Sequence, residues 1–177
     1  MYSTAERRDL IQYLDKTRDD LLSAIAGLSE AQLNFQPSPE RWSIAGNVEH
    51  VALVEDAVGS RILRELDSAP RVPADSTVTD IGVLRKAVDR ARKLDSSREF
   101  QPAGKPTAIS VEQFLASRKK IVAFVQSTIL DLRHIWTASR LFGPVDGHQR
   151  LLALAAHSAR HTDQILEIKS NPNFPAC

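Results

Sequence analysis

The chain has 177 residues, which is the size of one domain. Its 23 basic and 22 acidic side chains leave a net charge of +1, which gives no electrostatic argument for binding nucleic acid or an anionic membrane. No apolar run approaches the roughly 18 residues of a membrane span, and the single cysteine, Cys177, excludes an intramolecular disulfide and a cysteine-rich metal site. We therefore expect a soluble, cytoplasmic protein without a signal peptide, folded as one domain over residues 1–177 with a short flexible tail at about 170–177.

Proline divides the chain into candidate helices. The nine prolines fall in five places, and because proline breaks a helix interior, helices are expected between them. These stretches are too long for strands, and none shows a sustained alternation of apolar and polar residues. The sequence therefore predicts an all-α protein.

The first two helices have clear apolar stripes. Apolar residues recur at helical spacing between Leu10 and Leu28, and Ser3 or Thr4 is a suitable N-cap. The second helix is predicted to open at Ser43, after a proline-rich loop, and its stripe extends from Ile44 to Leu66.

Three further helices follow. A weaker one, at about Asp80 to Leu94, lies inside a long connection of roughly residues 70–109. The next long helix is predicted from Ser110, as the N-cap of a capping box, to Trp136. The last begins after Gly147 and extends through Ile168. Four long amphipathic helices must bury their stripes against one another, which predicts a four-helix bundle. The connection is long enough to cross the bundle end, so a strict up-down-up-down topology is not required.

Two of the five histidines have the spacing of metal ligands. His157 and His161 are four residues apart on the last helix, so they are offset by about 40° around the axis and about 6 Å along it. Imidazoles in this arrangement can bind one ion. Both lie at the flank of the apolar stripe, where a cleft between helices would open. Taken alone, the pair could instead form a polar seam of the bundle.

The same helical geometry selects a third ligand. His148 is about 13 Å along the axis from His157, and His134 lies opposite the apolar stripe of its helix, so we expect both at the surface. His50 lies at the edge of the stripe of the second helix. On its own it could be a boundary histidine bonded to a neighbour. Together the three predict a metal site with an open fourth position, as in catalytic sites.

Other polar residues fall near these histidines. Asn47 and Gln164 lie one turn from the proposed ligands, where they would support the ligands, contact substrate or simply be exposed. Glu55 falls within an apolar stripe, as do Arg18 and Arg118 on other helices. Because an unpaired buried charge is costly, we expect Glu55 to pair with Arg18 or Arg118 in a structural ion pair.

The sequence resembles the DinB-like superfamily of four-helix bundles, which includes bacillithiol-type transferases and mycothiol-dependent maleylpyruvate isomerase. The resemblance rests on the segment from Trp42-Ser43 to His50, on the closing segment His157–His161 followed by Gln164, and on the order of the long helices. It implies a divalent metal ion, commonly zinc or nickel, held by His50, His157 and His161. It also implies chemistry with a low-molecular-weight thiol and a homodimer formed through helix faces.

These features lead to three functional hypotheses. The first is transfer of a low-molecular-weight thiol to a small electrophile, through a metal-bound thiolate. The chain has no internal cysteine, so the thiol would be a co-substrate. The second is a metal-dependent hydrolase that uses metal-activated water, although Ser158 stands where an HExxH site has its glutamate. The third is a non-catalytic helical binding module with structural histidines. We expect a small-molecule substrate and neither nucleic-acid nor membrane binding.

Overall fold

The structure is a computed structural model that describes residues 2–68, 78–91, 96–139 and 141–176. The described helices are α1 (Thr4–Ile25), α2 (Glu30–Leu33), α3 (Ile44–Ser68), α4 (Asp80–Val88), α5 (Thr107–Ser127) and α6 (Gly147–Lys169), with short 3₁₀ turns at Arg98–Phe100 and Leu132–His134. Two short strands, β1 (Trp136–Ser139) and β2 (Gly143–Asp146), form an antiparallel pair. The all-α prediction is confirmed, since the four long helices form a four-helix bundle.

The four long helices are arranged as a square in which each packs against two others. α3 packs against α5 and α6, and α1 packs against α6 and α5. Hydrogen bonds near both ends of α1 and α6, from Tyr2 to His148 and from Lys169 to Ala24, show that these two helices are parallel. Bonds from Arg7 to Val125 and from Arg118 to Leu14 make α1 and α5 antiparallel.

The resulting order is up-down-down-up. α3 and α6 are antiparallel, because Asn47 contacts His161 while His50, further along α3, contacts His157. α3 and α5 therefore run in the same direction, which requires the chain between them to cross the length of the bundle. The predicted long connection does so and carries the short helix α4, which ends at Val88. The predicted end of that helix, Leu94, lies outside the described residues, as does Cys177.

Hydrophobic clusters fill the two halves of the bundle, and a buried polar layer lies between them. One half contains Leu10, Leu14, Ile121 and Leu151 among its members, and the other contains Leu21, Ile44, Val51, Phe114 and Ile165. The layer between them consists of four side chains that are each about 1% exposed or less: Thr17 of α1, Glu55 of α3, Arg118 of α5 and Ser158 of α6. Each long helix thus contributes one polar side chain to the layer.

Arg118 is the centre of this layer, and all five of its N–H donors are used. Nε and Nη2 donate to the two carboxylate oxygens of Glu55. Nη2 also donates to Ser158 Oγ at 3.0 Å, and Nη1 donates to Thr17 Oγ1 at 2.9 Å and to the Leu14 carbonyl. A guanidinium group has no further donors. The structure therefore pairs Glu55 with Arg118.

Arg18, the other arginine considered for this pair, does not reach Glu55. Its side chain is about one third exposed and lies against Asp15 and Asp19 of its own helix. Burial raises the pKa of Glu55, and the positive charge of Arg118 opposes that rise. Without Arg118 the ionised carboxylate would be buried without compensation.

The region around α5 differs from the sequence prediction at both ends. The helix begins at Thr107 rather than after Ser110, whose amide donates to the Pro106 carbonyl within the first turn. It ends at Ser127 rather than Trp136, because the backbone of Thr128 is extended. A separate 3₁₀ turn follows, in which Asp131 accepts a hydrogen bond from the Arg133 amide.

The strand pair β1–β2 was not predicted. Each strand has only four residues, which is too short for an alternating pattern to stand out in the sequence. Gly143, with φ of +80°, begins β2 in a backbone conformation that favours glycine. Among the described residues, no helix is sufficiently long and apolar to cross a bilayer.

We expect the substitution Arg118→Met to lower the free energy of unfolding by about 3–5 kcal/mol, the usual cost of breaking a buried ion pair. The matched control is Arg18→Met, which removes an arginine from surface pairs and is expected to cost less than about 1 kcal/mol. Urea denaturation followed by circular dichroism measures both. Equal losses in the two variants would show that the buried pair does not hold the helices together.

Candidate metal centre

Three histidines from two helices meet in one place. Because α3 and α6 are antiparallel and adjacent, His50 faces His157 and His161, which lie one turn apart on α6. Each of the three has a ring nitrogen within 4.8 Å of those of the other two. The ring centroids are 4.6 to 5.1 Å apart. The structure therefore brings together the three residues that the sequence selected as candidate ligands.

Hydrogen bonds to the outer nitrogens orient two of the rings. His50 Nδ1 lies 2.8 Å from the Phe100 carbonyl oxygen, which can only accept, so Nδ1 carries the hydrogen. His161 Nδ1 lies 2.9 Å from Asn47 Oδ1. Asn47 Nδ2 donates to the Ser43 carbonyl at 2.9 Å, which assigns the nitrogen of this side-chain amide to Ser43 and its oxygen to His161. In both rings Nε2 is then left with a free lone pair.

The third ring completes the arrangement. His157 Nε2 is 3.1 Å from His50 Nε2, and its Nδ1 is buried with no hydrogen-bond partner among the described residues. Lone pairs that converge at such a distance repel one another unless a proton or a cation lies between them. Bonding of the opposite ring nitrogen to a carbonyl or amide oxygen is also the usual support for a metal-binding histidine. The donor set of three imidazoles fits a divalent transition metal such as zinc or nickel.

Burial keeps these imidazoles neutral. It lowers the pKa of His157 to about 3, with further lowering by the positive charge of His50 when that ring is protonated. Burial also lowers the pKa of His161 well below its usual value and lowers that of His50. Neutral imidazole is the form that binds metal, so at neutral pH all three rings are in the ligand state.

Two other predicted residues lie beside the histidines. Asn47 is 2% exposed and is the partner of His161 described above, so it is not an exposed polar residue. Gln164 lines the cleft beside the histidines, and its side chain opposes the lowering of the His161 pKa. Trp42 covers the other side of the rings, with its centroid 4.7 Å from that of His50 and 6.2 Å from that of His161. No sequence pattern indicates the Phe100 carbonyl, which is fifty residues away from His50 in the chain.

The histidines open into a cleft of about 1100 Å³ between α3, α6, α4 and the β1–β2 turn. This volume is at the upper end of small-molecule sites. The cleft includes the three histidines together with Asn47 and Gln164 in its lining. A ligand in the cleft could therefore approach the nitrogen atoms directly.

The remaining histidines lie elsewhere. His134 is exposed, as predicted, and bonds to Asp131. His148 was expected at the surface, which is wrong: it is 5% exposed and its Nδ1 is 2.7 Å from the hydroxyl of Tyr2. The chain start covers the first turn of α6, a contact between residues 146 positions apart that no local pattern reveals.

Comparison with known proteins identifies relatives of the whole fold. The family profile of the DinB superfamily matches residues 13–165. Among solved structures, YfiT from Bacillus subtilis is similar, with a TM-score of 0.66 and 14% sequence identity over 99% of this chain and 92% of that chain. YfiT is described as a probable metal-dependent hydrolase with an unusual four-helix bundle topology. A search of curated proteins found no match.

The lowered histidine pKa values predict a specific dependence of stability on pH. Below pH 6.5 the unfolded chain binds protons that the folded, metal-free protein excludes from His157, whose pKa is about 3. The contribution of His157 to stability is thus present above pH 6.5 and is lost progressively as the pH drops from 6.5 to about 3. At pH 5 the loss from His157 alone is about 2 kcal/mol.

Urea denaturation of the chelator-treated protein between pH 7 and 5 measures this dependence. The variant His157→Gln should lose less stability over this range than the wild type. The exposed His134→Gln is the control and should follow the wild type. A wild-type slope equal to that of His157→Gln would contradict a buried, neutral ring at this position.

Proposed function

The chain belongs to the DinB superfamily, and we propose that it is a metal-dependent enzyme whose cation is held by His50, His157 and His161. The observation that carries this proposal is the convergence of three neutral ring nitrogens beside a cleft. The description of YfiT as a probable metal-dependent hydrolase supports metal dependence for a protein of similar fold. Zinc and nickel are among the ions that imidazole ligands suit.

The three histidines would leave a coordination position for a ligand in the cleft. An ion bound there would lower the pKa of a thiol or a water molecule that occupies this position, as three-histidine catalytic sites do. Asn47 and the Phe100 carbonyl bond to the Nδ1 atoms of His161 and His50, which leaves their Nε2 atoms available to a cation that the three histidines would hold. Trp42 shields the ring faces of both from solvent.

Among the candidate reactions, we place transfer of a low-molecular-weight thiol first. Glu40 is the one carboxylate among the described residues that line the cleft, and it accepts a hydrogen bond from Ser38. Glu55 faces the core and is held by Arg118. Among the described residues, the cleft thus offers a single carboxylate as a candidate general base, and this carboxylate is already bonded to Ser38. A thiol, with a pKa of about 8.5, needs less assistance to ionise than water does.

Hydrolysis is the second candidate, and the description of YfiT favours it. The two reactions share the proposed metal ion and differ in the nucleophile. Glu40 is the one carboxylate among the described lining residues, and it already accepts a hydrogen bond from Ser38. This is less favourable to hydrolysis, since water must lose its proton in the reaction.

The metal ion is tested by elemental analysis of protein purified without an affinity tag. We expect about one zinc or nickel ion per chain, because three imidazoles converge on one point. The variants His50→Ala, His157→Ala and His161→Ala should each lose the ion. His134→Ala removes an exposed histidine and should retain it. Retention of metal by all three ligand variants, or no metal uptake by the wild type, would leave only a helical scaffold without a metal function.

The nucleophile is tested with a chlorinated arene as electrophile and a panel of low-molecular-weight thiols. We expect product formation that requires both the thiol and the metal ion and that is lost in His50→Ala. Liquid chromatography of the thioether product gives the rate. Turnover of an ester or amide substrate without thiol, at a rate that responds to the metal ion, would instead establish hydrolysis and reject thiol transfer.

A further inference from the structure

The cleft extends well beyond the histidines along α3 and α6. These helices are antiparallel with Asn47 opposite His161 and His50 opposite His157. Continuing this register places Val54 opposite Leu154 and Val58 opposite Arg150, and all four side chains line the cleft. The surface next to the histidines is therefore apolar, and a cation lies at its far end.

The apolar section has a defined length. Arg150 precedes His157 by seven residues on the same helix, which is about 10 Å along the axis. Ile62 continues the floor from α3, while Leu141 and Phe142 of the turn between β1 and β2 form the opposite wall. Lys86 of α4 lies 5.7 Å from the centroid of the Phe142 ring, so α4 and the turn meet over the cleft.

Arg150 is a poorly solvated cation with few partners. Its side chain is 12% exposed, and burial lowers its pKa. Nη2 donates to Glu65 at 3.1 Å, but this carboxylate is itself 41% exposed. Nη1 reaches the Ala138 carbonyl only at 3.4 Å, and Nε has no partner among the described residues. A guanidinium with this much unused donor capacity gains from an anionic ligand.

The charged residues that line the cleft are mostly cationic, as Arg150 is. Of the described charged residues that line it, apart from the histidines, Arg41, Arg90, Arg150 and Arg160 are cationic and Glu40 is anionic. The lining thus carries a charge of 4 − 1 = +3 in a chain whose net charge is +1. Two of the arginines, Arg41 and Arg90, share a single carboxylate, that of Glu167. Even with this carboxylate and that of Glu65 counted, the four arginines leave the cleft cationic.

We propose that the substrate is an elongated carboxylate with an apolar body, whose carboxylate binds Arg150 and whose reacting group lies against the histidines. The apolar body lies along Val54, Val58 and Leu154, over the axial distance of about 10 Å between Arg150 and His157. The role of this ligand as a substrate rests on the proposed function. Its binding does not, because none of these contacts involves the metal ion.

Isothermal titration calorimetry tests the proposal with the chelator-treated protein. The probes are linear saturated monocarboxylates of increasing chain length, and the primary alcohols of the same length are neutral controls. We expect affinity to rise with chain length up to the length of the apolar section and the alcohols to bind more weakly. Equal affinity for carboxylates and alcohols would overturn the carboxylate assignment.

Three variants locate the carboxylate. Arg150→Gln should weaken carboxylate binding about tenfold or more, the usual effect of losing a hydrogen bond to a charged group, and leave alcohol binding unchanged. Glu65→Gln removes the carboxylate that competes for Arg150 and should tighten binding. Arg8→Gln removes an exposed arginine of α1 that pairs with Asp9 and does not line the cleft, and it should bind as the wild type does. If Arg150→Gln does not fold, an unchanged affinity in Glu65→Gln overturns the proposal by itself.

The outcome is independent of the metal chemistry. Arg150-dependent carboxylate binding in a protein that takes up no metal would support the ligand class and reject the proposed function. A metal-loaded, active protein that shows no preference for carboxylates over alcohols would keep the proposed function and reject the ligand class.

Discussion

The buried pair of Glu55 and Arg118 is the interaction on which the arrangement of this bundle depends. A guanidinium with all five donors used, at about 1% exposure, is tolerated only where every acceptor is in place. Those acceptors come from α1, α3 and α6, while Arg118 itself belongs to α5. Sliding any one helix by a turn would leave a buried charge or hydroxyl unpaired. The layer therefore fixes the axial register of all four helices.

The candidate metal centre uses the same register. Ser158, an acceptor in the layer, stands between His157 and His161 on α6, and Glu55 follows His50 by five residues on α3. On a helix, five residues correspond to about 140°, so Glu55 can face the core while His50 faces the cleft. Val54 is only about 40° from His50 and lines the cleft with it. One face of α3 aligns the bundle, and another face builds the site.

Burial has opposite electrostatic consequences in these two places. In the core layer, a carboxylate and a guanidinium are buried together, and each charge compensates for the desolvation of the other. At the histidines, described residues offer no carboxylate partner, and the rings are buried in the neutral state with lowered pKa values. Neutral rings bonded to the Phe100 carbonyl and to Asn47 have their lone pairs directed at one another. This arrangement favours either a cation between the rings or a proton on His157 Nε2 that is donated to His50 Nε2.

Helical periodicity and proline positions were sufficient to predict the long helices, the crossing connection and the histidine pair, because these depend on residues within a few turns of one another. The same local patterns misplaced the start and end of α5, which has Pro106 as its N-cap and ends at the extended backbone of Thr128. They also left open whether Arg18 or Arg118 meets Glu55, and they put the buried His148 at the surface. Which arginine reaches Glu55, which carbonyl orients His50 and which cation ends the cleft are matters of distance between remote segments. Only the packed bundle decides them, since periodicity determines the face on which a side chain lies and not the helix that it meets.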